Sequence, residues 1–219
     1  MTRLVSRLRR RPAEPVRWPV RLAAQTAAGE RVLLRPLRPG DEGEFLGARA
    51  ANATWLGPWD ATSPLPSPPR VAFREYLGRL EADARRGTAL PFVLEVDRQI
   101  VGQLNVSSIV LGSFRSCTMG YWVIHDVAGR GLMPAAVALA GDHVLRDVGL
   151  HRVEINIRPE NSASLAVVRK LGLRDEGLRR RYLHIDGDWR DHRSFAVTAE
   201  ELEPAGLLGR VGARRVPAR

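Results

Sequence analysis

The sequence predicts one α/β domain in which a mixed sheet is flanked by helices, and three observations predict it. A strand-like segment over residues 118–124 runs into the loop Ala128-Gly129-Arg130-Gly131-Leu132-Met133, and a helical pattern opens directly behind it. The apolar run Val153-Glu154-Ile155-Asn156-Ile157 has the length and β-branched content of a buried strand, and a second helical segment follows it. Upstream, residues 92–96 and 100–108 are two strand-like runs with Asp97-Arg98 between them, the pattern of a hairpin.

The remaining elements follow in order. Residues 1–16 form an arginine-rich arm in which Pro12 and Pro15 oppose helix, so it is expected to be disordered. Residues 18–22 supply a short edge strand and residues 31–37 the first full strand. Pro39-Gly40-Asp41 opens a helix to about residue 51, with Asp41 as N-cap. The proline-rich stretch 59–69 is expected to be a stiff loop without regular structure. A helix over residues 71–86 ends at Gly87, and strand 113–124 extends the sheet. The helix behind the glycine loop spans 134–148 and ends at Gly149; the next begins at Ser162 and stops at Leu171-Gly172. Asp186-Gly187 marks the turn of a closing hairpin. The division is therefore a basic arm (1–28), a domain (29–202) and a basic tail (203–219).

Bulk properties exclude several classes. A chain of 219 residues with 44% hydrophobic residues can bury a full core. It has no uninterrupted apolar run of the roughly 18 residues a spanning helix needs, and no apolar segment follows the N-terminal arginines as in a secretory signal. Cys117 is the single cysteine, so no internal disulfide forms; it reads as a core thiol. The expectation is a cytoplasmic protein without a membrane partner. Of the net charge of +10, residues 1–28 carry +6 and residues 203–219 carry +3, leaving +1 on the domain between them. Basic termini on a near-neutral domain suit loose, salt-sensitive attraction to a polyanion such as ribosomal RNA, or they reflect a composition with 33 arginines and one lysine. No aromatics interleave with the arginines of residues 3–11, so a base-stacking platform is absent there. His125, His151, His184 and His192 show no metal-ligand spacing, and no metal is expected.

The loop at Gly129-Arg130-Gly131 carries the chemistry. Glycines between a strand and a helix N-terminus form a concavity of free N–H groups to which the helix dipole adds positive potential, a shape for phosphate or pyrophosphate. It is not a P-loop, because the sole lysine, Lys170, is far from such a setting. Nor is it a dinucleotide fingerprint, because Pro134 stands where the third glycine belongs. A third pattern, Gln/Arg-x-x-Gly-x-Gly/Ala, is the pyrophosphate loop of the GNAT acetyltransferases. Gly131 falls on its first glycine, while Ala128 and Met133 depart from it.

The order strand, glycine loop, helix, strand, Pro159-x-Asn161-x-x-Ser164, helix, glycine resembles the GNAT core. The string Tyr182-Leu183-His184-Ile185-Asp186-Gly187-Asp188-Trp189-Arg190-Asp191-His192 resembles the closing hairpin of Rim-type ribosomal-protein alanine N-acetyltransferases. Trp55-Leu56-Gly57-Pro58-Trp59, Gly112-Ser113-Phe114 and Gly120-Tyr121 are similar to that group as well, and the resemblance covers about residues 30–200. It implies the GNAT fold, a mostly antiparallel sheet splayed at two central parallel strands, here 118–124 and 153–157. It implies acetyl-CoA as cosubstrate, held by backbone at Trp122, Val123 and Ile124 and by Gly129, Arg130 and Gly131 at the pyrophosphate. Asn161 matches the asparagine that contacts the CoA arm; it also suits the N-cap of the helix at Ser162.

The resemblance implies acetyl transfer to a protein N-terminal amine, at alanine of a ribosomal protein. Acceptor chemistry agrees with the scarcity of bases. An α-amine has a pKa near 7.7–8.0, so about a quarter is neutral at pH 7.4, against about a thousandth of lysine side chains. Asn156 stands where some relatives carry a glutamate, which leaves Glu154, two residues earlier on the same strand face, as the candidate carboxylate. Ser164 and Tyr182 are candidates to meet the leaving thiolate, and Trp55 and Trp59 to wall the acceptor pocket. Two other readings stay open: acetylation of a small-molecule amine, and a non-catalytic ribosome-assembly or RNA-binding factor on the same scaffold.

Overall fold

A computed structural model describes residues 16–65 and 71–218; the arm over 1–15 and the loop over 66–70 lie outside the described residues. Among the described residues nine strands form a single sheet: β1 (Leu22–Gln25), β2 (Arg31–Pro36), β3 (Leu90–Val96), β4 (Gln99–Val110), β5 (Ser116–Val123), β6 (Arg152–Ile157), β7 (Arg174–Ile185), β8 (Asp188–Thr198) and β9 (Arg214–Val216). Their spatial order is β7-β8-β6-β5-β4-β3-β2-β1-β9. Every pairing is antiparallel except β5 with β6. That exception positions the site. β5 and β6 pair only from Ser116–Arg152 to Thr118–Glu154. Beyond that point β5 stays with β4 as far as Val123, and β6 stays with β8 as far as Ile157. The sheet opens into a wedge.

The helices are α1 (Glu42–Ala51), α2 (Ala53–Leu56), α3 (Phe73–Arg85), α4 (Leu132–Asp142), α5 (Ser162–Lys170) and α6 (Gly206–Arg210). α4 is buried along its whole length, as a helix apolar on every side must be. It packs against β1, β2 and β4 on one side and against α5 and α6 on the others, at the centre of the main core with Leu34, Phe92, Leu104 and Ile155. The opposite face of the sheet carries a smaller core, in which Phe45 of α1 and Phe73 and Leu77 of α3 meet Val93 and Ile100. α4 starts at Leu132, two residues before the predicted start. Pro134 fits in its first turn, where a missing N–H leaves no intrahelical bond unmade.

Both termini of the described chain differ from expectation. The first strand runs Leu22–Gln25 rather than 18–22, and β9 covers it, so it is not an edge. Val16, Trp18 and Val20 pack on the main core. The segment expected to be a basic tail folds onto the domain. Asp142 accepts the amide N–H groups of Leu207 at 2.8 Å and Leu208 at 3.1 Å, and both leucines are buried. Its three described arginines are engaged internally: Arg210 donates to the carbonyls of Leu171 and Glu201, Arg214 to Gln25, and Arg215 to Asp147. They are structural contacts of the domain rather than a loose polycation. The loop expected over 59–69 also contains order, since Gly57–Trp59 is a 3-10 turn and Ala61 bridges to Ile185.

Candidate active site

A cavity of about 360 Å³ occupies the wedge. Its position relative to the sheet follows from strand alternation. Tyr121 and Trp122 are consecutive, so their side chains leave β5 on opposite faces, yet both line the cavity. The cavity therefore passes through the sheet from one face to the other.

On the α4–α5 side the glycine loop forms its floor. Gly129 and Gly131 take φ of +83° and +84°, backbone positions that cost an L-residue about 1–2 kcal/mol. Gly131 is the N-cap of α4 and offers no side-chain cap. The first amides of α4, at Leu132 and Met133, thus have neither an intrahelical acceptor nor a capping oxygen. No acceptor among the described residues takes the amides of Gly129 or Gly131, whereas Ala128 donates to His125 and Arg130 to Val127 at 3.5 Å. Four free N–H groups at the positive end of a buried helix fit a diphosphate. The departures at Ala128 and Met133 do not close this cradle. The Arg130 side chain turns away from the cavity to an ion pair with Glu30, and lines a shallow neighbouring depression with Lys170 and Arg210.

The wall of the wedge is the free edge of β5. Ile124 N–H donates to Val101 O at 2.9 Å, across to β4. Alternation then turns the backbone groups of Val123 and Tyr121 toward the gap. Of the three backbone positions expected to hold the cofactor arm, Val123 faces the wedge. Ile124 is corrected: its amide is already bonded to β4, and it lies outside the cavity lining. Trp122 is also among the lining residues, while its backbone faces β4.

Asn161 and Ser164 enter from α5. The Asn161 side chain accepts the Ser164 amide at 3.0 Å as the helix N-cap, and both residues line the cavity. The phenol oxygen of Tyr121 is buried and has no hydrogen-bond partner. Burial holds the phenol above its ordinary pKa. The Ser164 side chain partly offsets this, though it lies outside full hydrogen-bond geometry. Tyr121 is thus a buried, protonated donor beside Ser164, without a hydrogen bond of full geometry among the described residues.

The other two catalytic candidates are corrected. Tyr182 lies on β7 outside the cavity lining, with Arg179 over its ring at 4.8 Å and His192 edge-on at 5.8 Å. Glu154 is buried and committed to an ion-pair network. It accepts from Arg152 at 2.8 Å, Arg179 at 2.9 Å and Asn156 at 3.0 Å. Burial opposes its ionisation, but the bonds from Arg152 and Asn156 and the Arg179 charge outweigh burial and hold the carboxyl below its usual range. Such a carboxylate is a weak base.

On the α1–α3 side Trp55 and Trp59 line the cavity, joined by Gln103 and Asn105 of β4. Asp60 is the one carboxylate in the cavity lining, and it is ion-paired to Arg49 at 2.6 Å. Among the described residues no group of three or more His, Cys, Asp or Glu side chains is placed to hold a metal ion, and no helix is long and apolar enough to cross a membrane. Residue reasoning missed Tyr121 and Asn105 as site residues. For Asn105 a signal existed: Gln103 and Asn105 break the apolar pattern of β4 at a spacing of two.

Sequence comparison matches the acetyltransferase (GNAT) domain family over residues 31–174. The chain is 30% identical over 177 residues to a ribosomal protein uS5-alanine N-acetyltransferase of Escherichia coli, a match covering 80% of this chain and 91% of that protein. RimJ of Mycobacterium smegmatis, solved in complex with CoA-disulfide, superimposes with a TM-score of 0.82 at 40% identity, covering 88% of this chain and 93% of that one. A ribosomal-protein-S5-alanine acetyltransferase from Vibrio fischeri shares the fold, with a TM-score of 0.69 at 24% identity over 79% of this chain and 96% of that one. The chain belongs to the GNAT acetyltransferase family, and the wedge between its β5 and β6 strands is the family's splayed cleft.

Proposed function

We propose that this protein transfers the acetyl group of acetyl-CoA to the N-terminal amine of a ribosomal protein, at a first residue of alanine. The observation that carries the reading is the row of free amides at Gly129, Gly131, Leu132 and Met133, at the end of a wedge that runs through the sheet. Acetyl-CoA supplies an activated acyl group on a thiol leaving group and a diphosphate handle. The amides and the α4 dipole hold the diphosphate. The Val123 N–H and the Tyr121 backbone, on the edge of β5 that β6 leaves open, pair with the amide-bearing arm as an added strand would, while the Val123 carbonyl is held by Trp55. A backbone N–H of that edge meets the thioester carbonyl oxygen as charge develops there. Ser164 and Tyr121 meet the sulfur, and the phenol O–H, protonated at every physiological pH, stabilises the departing thiolate by hydrogen bond.

The acceptor enters from the opposite face, past Trp55 and Trp59. Among the described residues the one carboxylate of the cavity lining is Asp60, and it is paired with Arg49. An α-amine needs no strong base, being about a quarter neutral at pH 7.4. The relatives from Escherichia coli and Vibrio fischeri are described as acting on alanine of a ribosomal protein, which supports the same acceptor class. The test is mass spectrometry of ribosomal-protein N-termini from cells with and without the protein. One or more N-terminal alanines acetylated only when the protein is present is the expected result. An unchanged set of N-termini refutes the assignment.

A further inference from the structure

The face of the sheet opposite Ser164 and Tyr121 carries a second unsatisfied polar side chain. Asn105 of β4 lies directly across from Gly120 of β5, and both line the cavity. Residues facing one another in an antiparallel pair project to the same side, and Gln103 and Trp122, two positions along, share it. α1 and α3 cover this side: Trp122 meets Phe45 at 5.8 Å, and Gln103 Nε2 donates to the Tyr76 hydroxyl at 2.9 Å. Both ends of the Gln103 carboxamide are bonded, since its Oε1 accepts from Trp122 Nε1 at 3.1 Å. Asn105 differs. Its Oδ1 is buried and has no hydrogen-bond partner among the described residues. An unmet buried acceptor costs about 1–3 kcal/mol. Gly120, opposite, leaves open space: a methyl group at its Cα would meet nothing within 4 Å.

We propose that Asn105 seats the α-amine of the acceptor through its carbonyl oxygen, and that the space over Gly120 receives the first side chain, so that the site takes N-termini beginning with a small residue. This rests on the acetyl-transfer reading above. A neutral carbonyl accepts an N–H from a free amine and leaves the nitrogen lone pair to attack. A carboxylate in its place would favour the ammonium form, whose lone pair is occupied. In the reaction the amine nitrogen forms the new C–N bond as the C–S bond breaks. The nitrogen loses one proton to water and the thiolate takes one up, so atoms and charge balance.

The test is steady-state kinetics of the full chain with acetyl-CoA and synthetic decapeptides beginning with Ala, Gly or Leu. Asn105→Ala is expected to raise the KM of the Ala peptide about tenfold, with the KM of acetyl-CoA changed less than about twofold. Asn105→Asp is expected to move the rising limb of kcat, which reports the bound amine, up by about one pH unit; this readout stands alone if the alanine variant does not fold. Gly120→Ala is expected to lower kcat/KM for the Ala peptide more than for the Gly peptide. Asn105 variants with an unchanged peptide KM and an unchanged kcat limb overturn the assignment while leaving acetyl transfer intact. Wild-type protein that binds acetyl-CoA but acetylates none of the peptides overturns both.

Discussion

The indole Nε1 of Trp55 donates to the carbonyl oxygen of Val123 at 3.0 Å, tying α2 to the last residue of β5. Two more contacts close on the same place. The Asn52 side-chain oxygen accepts the His125 amide at 2.8 Å, and the Trp55 ring meets His125 edge-on at 5.0 Å. In an unbroken sheet the Val123 carbonyl would take an amide from β6. Because β6 has diverged, a side chain from the acceptor face takes that role, and the open end of the wedge is braced instead of frayed.

Trp55→Phe keeps a ring in place but removes the donor. The loss is expected to lower unfolding free energy by about 1 kcal/mol and to raise the acceptor KM more than that of acetyl-CoA. Urea unfolding and two-substrate kinetics read both. A variant unchanged in each would mean that the Trp55–Val123 bond braces nothing.

Gly131→Ala places a Cβ in open space but on a backbone with φ of +84°. The cost of that conformation, about 1–2 kcal/mol, is relieved by rotating the loop, which turns the amides away from the diphosphate. Acetyl-CoA affinity is expected to fall about tenfold in titration calorimetry, with the fold retained by circular dichroism. Retained affinity would separate the loop from cofactor binding.

Tyr121→Phe removes a buried hydroxyl that makes no hydrogen bond of full geometry among the described residues. Thermal stability is expected to hold or rise, because no internal bond is lost, while kcat falls about 10²-fold at a nearly constant acetyl-CoA KM. Ser164→Ala should slow turnover through the same step, and the double variant should cost less than the product of the two. Tyr182→Phe, outside the cavity lining, should turn over like the wild type. A Tyr121→Phe enzyme with full kcat would remove the phenol from the reaction.

Acid stability should reflect the carboxylates that join β6 to β7. Hydrogen bonds from Arg152 and Arg174 pull the Glu176 carboxyl from 4.5 down to about 2. A depressed carboxyl contributes its full stability above the unfolded value and loses it as pH falls through the folded one. Glu176 therefore stabilises the fold above about pH 4.5, and the contribution fades between pH 4.5 and 2. Glu176→Gln should show a shallower loss of the urea midpoint over that window, with the two proteins converging near pH 2. Parallel curves would contradict the linkage.

What the sequence disclosed about this site followed local chemistry. Gly129 and Gly131 marked the phosphate cradle because two glycines between a strand and a helix have few other uses, and Asn161 marked the start of α5. Tyr121 and Ser164 lie 43 positions apart in the chain, and they meet only because β5 and α5 border the same wedge. Tyr182 and Glu154 drew notice as residue types that can move protons. Their partners from other strands, His192 of β8 for Tyr182 and Arg179 of β7 for Glu154, are set by strand register, which spacing along the chain does not encode. The fold of the last residues was hidden by their arginines, although the pair Leu207-Leu208 was an apolar signal inside that basic stretch, and Asp142 buried in α4 is what holds it.

The most direct test is titration calorimetry of the full chain with acetyl-CoA and, separately, with S-acetylpantetheine, which carries the same thioester but no diphosphate. Binding of acetyl-CoA at one site per chain is predicted, with S-acetylpantetheine bound at least about tenfold more weakly, since the four amides then have nothing to hold. Equal affinities, or no binding of acetyl-CoA at all, would contradict the account.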